Sequence, residues 1–183
     1  RGLNEEKKIE SNDDESATEK FKKKLRWDEN EKLYDQDGVG LLMYAVASNE
    51  VKVVADLLTE LKRDFEGEEY SQHLESRVRK QGYVALGIPG DTTTLMVAMM
   101  TASTEVVSML LECGANVHSV DVTGNDACMI ASIFGRSKNL QCWLRENKDW
   151  DVNRTDKIIF GGTLMSKAIY NGANKLEIVK VLL

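Results

Sequence analysis

Two histidines and three cysteines are too few, and too irregularly placed, for the sites such residues usually build. A structural zinc centre needs about four ligands. The one arrangement that can be forced, Cys113 with His118, supplies only two, so no metal is expected. An odd cysteine count does not make a disulfide framework. A Cys–His nucleophile has no support either, because His73 and His118 lie in segments with no cysteine arranged to meet them. No apolar run is long enough to span a bilayer, and no secretory signal is visible. Acidic residues outnumber basic ones, 30 to 24, for a net charge of −6, which argues against a general nucleic-acid binder. The missing disulfide pattern fits a reducing interior, so an intracellular location is expected, in the cytoplasm or inside an organelle.

Motif-like fragments offer no chemistry. Gly87-Ile-Pro-Gly-Asp-Thr-Thr-Thr94 resembles a phosphate loop but lacks the lysine that meets the phosphates; a turn followed by a helix N-cap accounts for every residue. Asn153-Arg154-Thr155 is a glycosylation sequon of a kind that arises by chance. The acids Asp13, Asp14, Glu15, Glu68 and Glu69 sit in polar runs, where solvated surface explains them better than acid–base catalysis. No catalytic residue and no cofactor are expected.

What the chain does have is a period. Thr93-Thr94-Leu95-Met96-Val97-Ala98 is followed by Glu105-Val106-Val107-Ser108-Met109-Leu110-Leu111, then by Gly114-Ala115-Asn116-Val117 and Asp121. Thirty-three residues on, Ala131 takes the place of Ala98 and Leu144 that of Leu111. The spacing predicts a short helix capped by threonine hydroxyls, then a turn. A second helix follows, with apolar residues at helical spacing, and Gly114 lies just past its end, where a left-handed residue is wanted. One such pair cannot bury its own apolar face, so units must stack.

These residues resemble ankyrin repeats, whose pattern runs D-x-x-G-x-T-P-L-H-x-A-A-x-x-G, then E-V-V-x-L-L-L and G-A-D-V-N. Asp91 to Asp121 fits best. The next unit keeps Asp121, Gly124, Ala131, Gly135, Leu140 and Leu144, with Asp126-Ala127-Cys128 in place of T-P-L. Asp35, Gly38, Leu42, Ala45, Val53, Val54, Leu57 and Leu58 form an earlier unit, and Thr163, Ala168, Gly172 and the Leu176–Leu183 helix a fourth. The resemblance implies an all-α, ankyrin-like helix-turn-helix repeat solenoid, with units at about 35–61, 91–120, 121–154 and 155–183. Met43, Met96, Met129 and Ser166 stand where the family keeps a histidine that ties neighbouring units. Methionine fills that space but is not expected to replace its hydrogen bond.

Two intervals break the period. Ala45 to Ala98 spans 53 residues, so 62–90 is read as an inserted arm or degraded repeat, with Tyr70, Leu74 and Val78 on one face of a single amphipathic helix. Ala131 to Ala168 spans 37, lengthening the last finger around Ile158-Ile159-Phe160. Residues 1–34 read as a charged, largely disordered segment. Within it, Lys20 to Trp27 forms a basic helix with Phe21 and Leu25 at i, i+4: either a docking helix for an acidic surface or nucleic acid or, on the reading favoured here, a solvated cap on the first unit. An array stopping inside a second helix leaves an apolar face without a polar cap, which implies a processed or partial chain or a covered end.

The resemblance also implies a site. Partners of such arrays lie across the finger tips and the concave face of the first helices. In this chain those positions include Val39, Ala47, Ser48 and Thr92. The face expected to bind is Met100, Thr101, Val122, Thr123, Asn125, Ile133, Phe134, Ile159, Phe160, Tyr170 and Asn171, with Arg136 and Lys138 as rim charges. Its apolar members imply a protein partner, unless the 62–90 arm or the N-terminal helix covers them. The function expected is a non-catalytic protein-binding or scaffold module, a subunit of a hetero-complex without direct membrane insertion. The alternative is a regulatory ankyrin region of a longer enzyme or channel.

Overall fold

The computed structural model describes residues 15–27, 35, 39–79, 82, 88–156, 161–171 and 174–183; of Asn171 only the backbone is described. Ten α-helices lie within these residues, with no strand beyond isolated bridges. Four short helices form an inner row: α2 (Leu41–Ala47), α5 (Thr94–Thr101), α7 (Ala127–Ile133) and α9 (Leu164–Asn171). Behind each lies an outer partner: α3 (Val51–Asp64), α6 (Thr104–Glu112), α8 (Ser137–Glu146) and α10 (Lys175–Leu182). Inner helices pack on inner and outer on outer, so the core is one continuous two-layer stack. Two further helices flank it: α1 (Ala17–Leu25) and α4 (Gly67–Leu74) both lie against α3.

The local chemistry explains where each helix begins. Thr93 caps α5, its hydroxyl accepting the Met96 N–H at 3.3 Å, and Asp126 caps α7 by accepting the Met129 N–H at 2.8 Å. Thr163 does the same for α9 through the Ser166 N–H. Gly114 (φ +87°) turns the chain after α6, in a conformation that costs glycine little. Ala45, Ala98, Ala131 and Ala168 hold equivalent places, and each is completely buried. With only a methyl group there, neighbouring inner helices approach closely.

The missing histidines are replaced in two ways. The Met96 sulfur accepts the Thr93 N–H at 3.4 Å, closing a reciprocal cap within its own unit rather than a tie between units. Ties between units come instead from other side chains reaching backbone carbonyls. Asn139 donates to Ala98 O and Ala102 O, Arg136 to Thr101 O and Ala102 O, and Asn174 to Gly135 O.

The long interval between the first two units has a definite anatomy. Helix α3 runs 14 residues against 9 in α6 and 10 in α8, and α4 follows it. That helix does not run on to Val78 as expected: it stops at Leu74, because the residues beyond it bind the next unit. Glu75 accepts the Asn116 N–H and the Ser119 hydroxyl, Ser76 shares a hydrogen bond with Thr94, and Arg77 donates to Asp91 O, Val120 O and Ser119 Oγ. Val78 then pairs with Thr92 and Asp91 through two backbone bonds. Tyr70 stitches the arm from its other side, donating to Cys113 O at 2.9 Å. Burial of this phenol, with Cys113 beside it, pushes its pKa up to about 12.

Candidate functional site

The concave row is built by register. Met100, Ile133 and Tyr170 hold equivalent positions at the ends of α5, α7 and α9, and Thr101, Phe134 and Asn171 follow them. Tyr170 is 85% exposed and Phe134 44%, while Met100 and Ile133 are half-buried. Packed inner helices stand about 8–10 Å apart, so these side chains form one apolar stripe across three units. Helices α1 and α4 pack against α3, and the arm clasps the loop after α6. Phe134 and Tyr170 thus remain open to solvent despite both neighbours.

Other expected contact residues are spent inside the fold. Asn125 is buried: its N–H donates to the Asp121 carboxylate and its amide to Thr123 Oγ1, so it shapes the finger and offers nothing to a partner. Thr123 is half-buried and donates twice to the same Asp121 oxygen, leaving Val122 as the exposed tip. The Thr101 hydroxyl donates to Val97 O, but the residue itself stays exposed. Val39 and Thr92 are buried, whereas Ser48 is exposed and Ala47 half-buried. Arg136 is no rim charge, since its guanidinium binds the end of the preceding helix; Lys138 is exposed on α8. Ile159 and Phe160, with Ile158, lie outside the described residues, as does the Asn171 side chain. The basic cluster of α1 turns inward through buried Phe21, and Lys22, Lys23 and Lys24 pair with Glu19, Glu15 and Glu50.

Sequence reading missed how the fingers are held. Each finger closes on one backbone bond: Asp35 N–H to Val39 O, Asp121 to Asn125 and Asp156 to Gly162. The same three carboxylates accept an N–H back from across the finger. Five residues after each closing position, the inner helix carries the residue that meets the carboxylate's second role. In the first unit Tyr44 donates to Asp35 at 2.7 Å, and in the fourth Lys167 pairs with buried Asp156 at 2.9 Å. In the second unit Val78 and Val97 stand in these places, both apolar and buried. The third unit is mismatched: Ile130 has nothing to donate, and Asp121 Oδ2 is buried without a hydrogen-bond partner. Tyr44 and Lys167 fall at the unspecified place between the family's histidine position and its alanine, so only a unit-by-unit alignment of fingers could have found the pairs.

A second polar system ties the third finger to the fourth. The α7 cap Asp126 is fully buried, and Arg154 reaches it at 3.4 Å while lying over the Trp150 ring. Trp150 stacks on His118 and meets buried Trp143 edge-on, each at 5.3 Å between ring centres. Burial raises the Asp126 pKa above the ordinary carboxylate value, against the pull of the Met129 N–H and Arg154. All three cysteines are free thiols; Cys128 and Cys142 are buried, and burial holds the Cys128 thiol well above its usual range. Among the described residues no three of His, Cys, Asp and Glu gather closely enough to hold a metal. No helix among them is long and apolar enough to cross a membrane.

The stacked pairs, the capped inner helices and the glycine-ended outer helix converge on one known unit, and the family model for the ankyrin repeat matches residues 91–122. Residues 91–122 are an ankyrin repeat. Comparison with curated proteins gives no match. The matched segment contains α5 and α6, the second of four helix pairs in the row, with the first and third pairs packed on either side of it and the fourth on the third. Ankyrin repeats are non-catalytic modules of protein–protein interaction, and residues 91–122 are such a unit.

Proposed function

We propose that this chain is a scaffold or binding module that holds a protein partner on its concave face, as a stably bound subunit of a larger hetero-complex. The observation that carries this reading is the pair of exposed aromatics at the ends of adjacent inner helices: Phe134, next to half-buried Ile133, and Tyr170, in the register position of Ile133 and half-buried Met100. Aromatic side chains presented on a rigid support are the usual anchors of protein interfaces. Val122 at the third finger tip and Thr101 beside Met100 extend the same surface. An intracellular location, cytoplasmic or within an organelle, accords with three free thiols. The test is affinity capture from native extract with the wild-type chain, Phe134→Asp and Tyr170→Asp, read by mass spectrometry alongside circular dichroism. Loss of a defined partner set in both variants with folding intact supports the reading. An unchanged set with intact folding refutes it and moves the interface to the arm or the N-terminal helix.

A further inference from the structure

Along the first three inner helices the concave row carries no charge. Ala47, Met100 and Ile133 hold one equivalent place at the ends of α2, α5 and α7, and Ser48, Thr101 and Phe134 hold the next. All six are exposed or half-buried. None of the three helices contains an Asp, Glu, Lys or Arg, in a chain of which 30% is charged. The outer helices behind them differ: α6 turns Glu105 and Glu112 to solvent, and α8 turns out Lys138 and Arg145. Both α5 and α7 pack between two other inner helices, so this stretch lies inside the array. Its polar groups are already used. The Thr101 hydroxyl donates to Val97 O, and the carbonyls of Thr101 and Ala102 accept from Arg136, Ala102 O also from Asn139. Beside exposed Val122, the Thr123 hydroxyl donates to Asp121 and the Asn125 amide to Thr123.

We infer that the occupant of this row is an amphipathic helix of a protein partner, laid along the stacking direction with an uncharged apolar face toward Met100, Ile133 and Phe134. The inference rests on the concave-face reading above and names the chemistry of the partner. Backbone chemistry decides it. An extended or polyproline segment pressed on the row takes its own polar backbone groups out of water, where no free group of the row meets them. A helix satisfies those groups internally. Charged partner side chains are excluded on the same ground, since they lose water and gain no counter-charge. Spacing agrees. Packed inner helices stand about 8–10 Å apart. Residues seven apart on a helix share a face and rise about 10.5 Å, which a tilt of about 20° shortens to about 10 Å. Same-face residues of a strand recur at about 6.7 or 13 Å, and neither matches the step between units.

The test is selection of a phage-displayed library of random peptides, about two helical heptads long, on the full chain. The recovered peptides are then measured on wild type, Phe134→Asp and Thr101→Lys. Both substitutions fall on exposed side chains, and circular dichroism checks that each variant is folded. The expected peptides carry apolar residues at i and i+7 with a companion at i+3 or i+4, and no charge on that face. Both variants should weaken their binding at least about tenfold, and so should one proline in mid-peptide. Affinity should change less than about twofold between low and high salt. Peptides that need the row but alternate with period two, tolerate the proline or weaken about tenfold in salt overturn the helical, uncharged occupant while leaving the concave-face reading intact. Peptides that bind both variants as well as wild type, or no recovered peptide at all that needs the row, overturn the two together.

Discussion

Lys167→Met isolates the finger pairing. Asp156 is fully buried and the Lys167 side chain is 10% exposed, so their 2.9 Å contact is one of the few ion pairs here shielded from solvent. Removing one partner of a buried pair costs about 3–5 kcal/mol, because the remaining charge stays in a poorly polarisable site. Asp156 keeps the Gly162 N–H at 2.8 Å, which places the expected loss near the lower end, about 3 kcal/mol. The double variant Asp156→Asn/Lys167→Met retains an acceptor for Gly162 but no charge, so it should recover about 2 kcal/mol of that loss. Urea unfolding followed by circular dichroism measures both, with an unchanged denaturant slope as the sign that only stability moved. Asp121→Asn serves as the internal control: its second oxygen has no partner to lose, and the change should stay within about 1 kcal/mol. A Lys167→Met loss below about 1 kcal/mol, or a double variant no better than the single, refutes the pairing argument.

The remaining predictions touch other parts of the fold. Because the folded pKa of Asp126 lies above the ordinary value of 3.8, the folded state binds a proton the unfolded state has already released. That contribution favours folding in acid and is lost as pH rises through the raised value. Asp126→Asn should therefore gain on wild type as pH climbs from the ordinary carboxylate range toward neutrality; a pH-independent difference in urea midpoints sinks the claim. Gly82→Ala should destabilise by about 1–3 kcal/mol, since Gly82 has φ +75° and a Cβ there would lie 2.6 Å from Ile88 O. Wild-type stability in thermal melts of that variant contradicts the close approach of Gly82 to Ile88 O. With a thiol reagent under native conditions, half-buried Cys113 should react first and Cys128 only on unfolding, as its burial and raised pKa require.

How much of this was legible beforehand varies by residue. The Thr93 cap, the turn at Gly114, the buried alanines and the outer-helix stripe of Val106, Val107 and Leu110 are all local or periodic signals. They depend only on local chain geometry that recurs from unit to unit. Exposure of Phe134 and Tyr170 followed from the same register. Asn125 and Arg136 did not, because a polar side chain beside a turn reads as surface until the acceptor it meets is known. Thr123 Oγ1 supplies that acceptor for one, and the carbonyls of Thr101 and Ala102 for the other. The stop of α4 at Leu74 was likewise invisible: Tyr70, Leu74 and Val78 are spaced for one helix, and only Asn116, Ser119 and Thr94, brought alongside by the next unit, draw the chain out of it.

By itself, then, the sequence determined the helical class, the repeating unit, its stacking and the apolar character of the concave row, since each is set by spacing along one chain. The tertiary structure alone decided which polar groups are consumed: Tyr44 with Asp35, Lys167 with Asp156, Arg154 with Asp126, and an unmatched Asp121 opposite an isoleucine position. The physical reason is that a buried charge or donor must find a complement at a specific distance. That distance is fixed by how fingers of different length fold back onto the helices behind them, which no periodicity in the chain encodes.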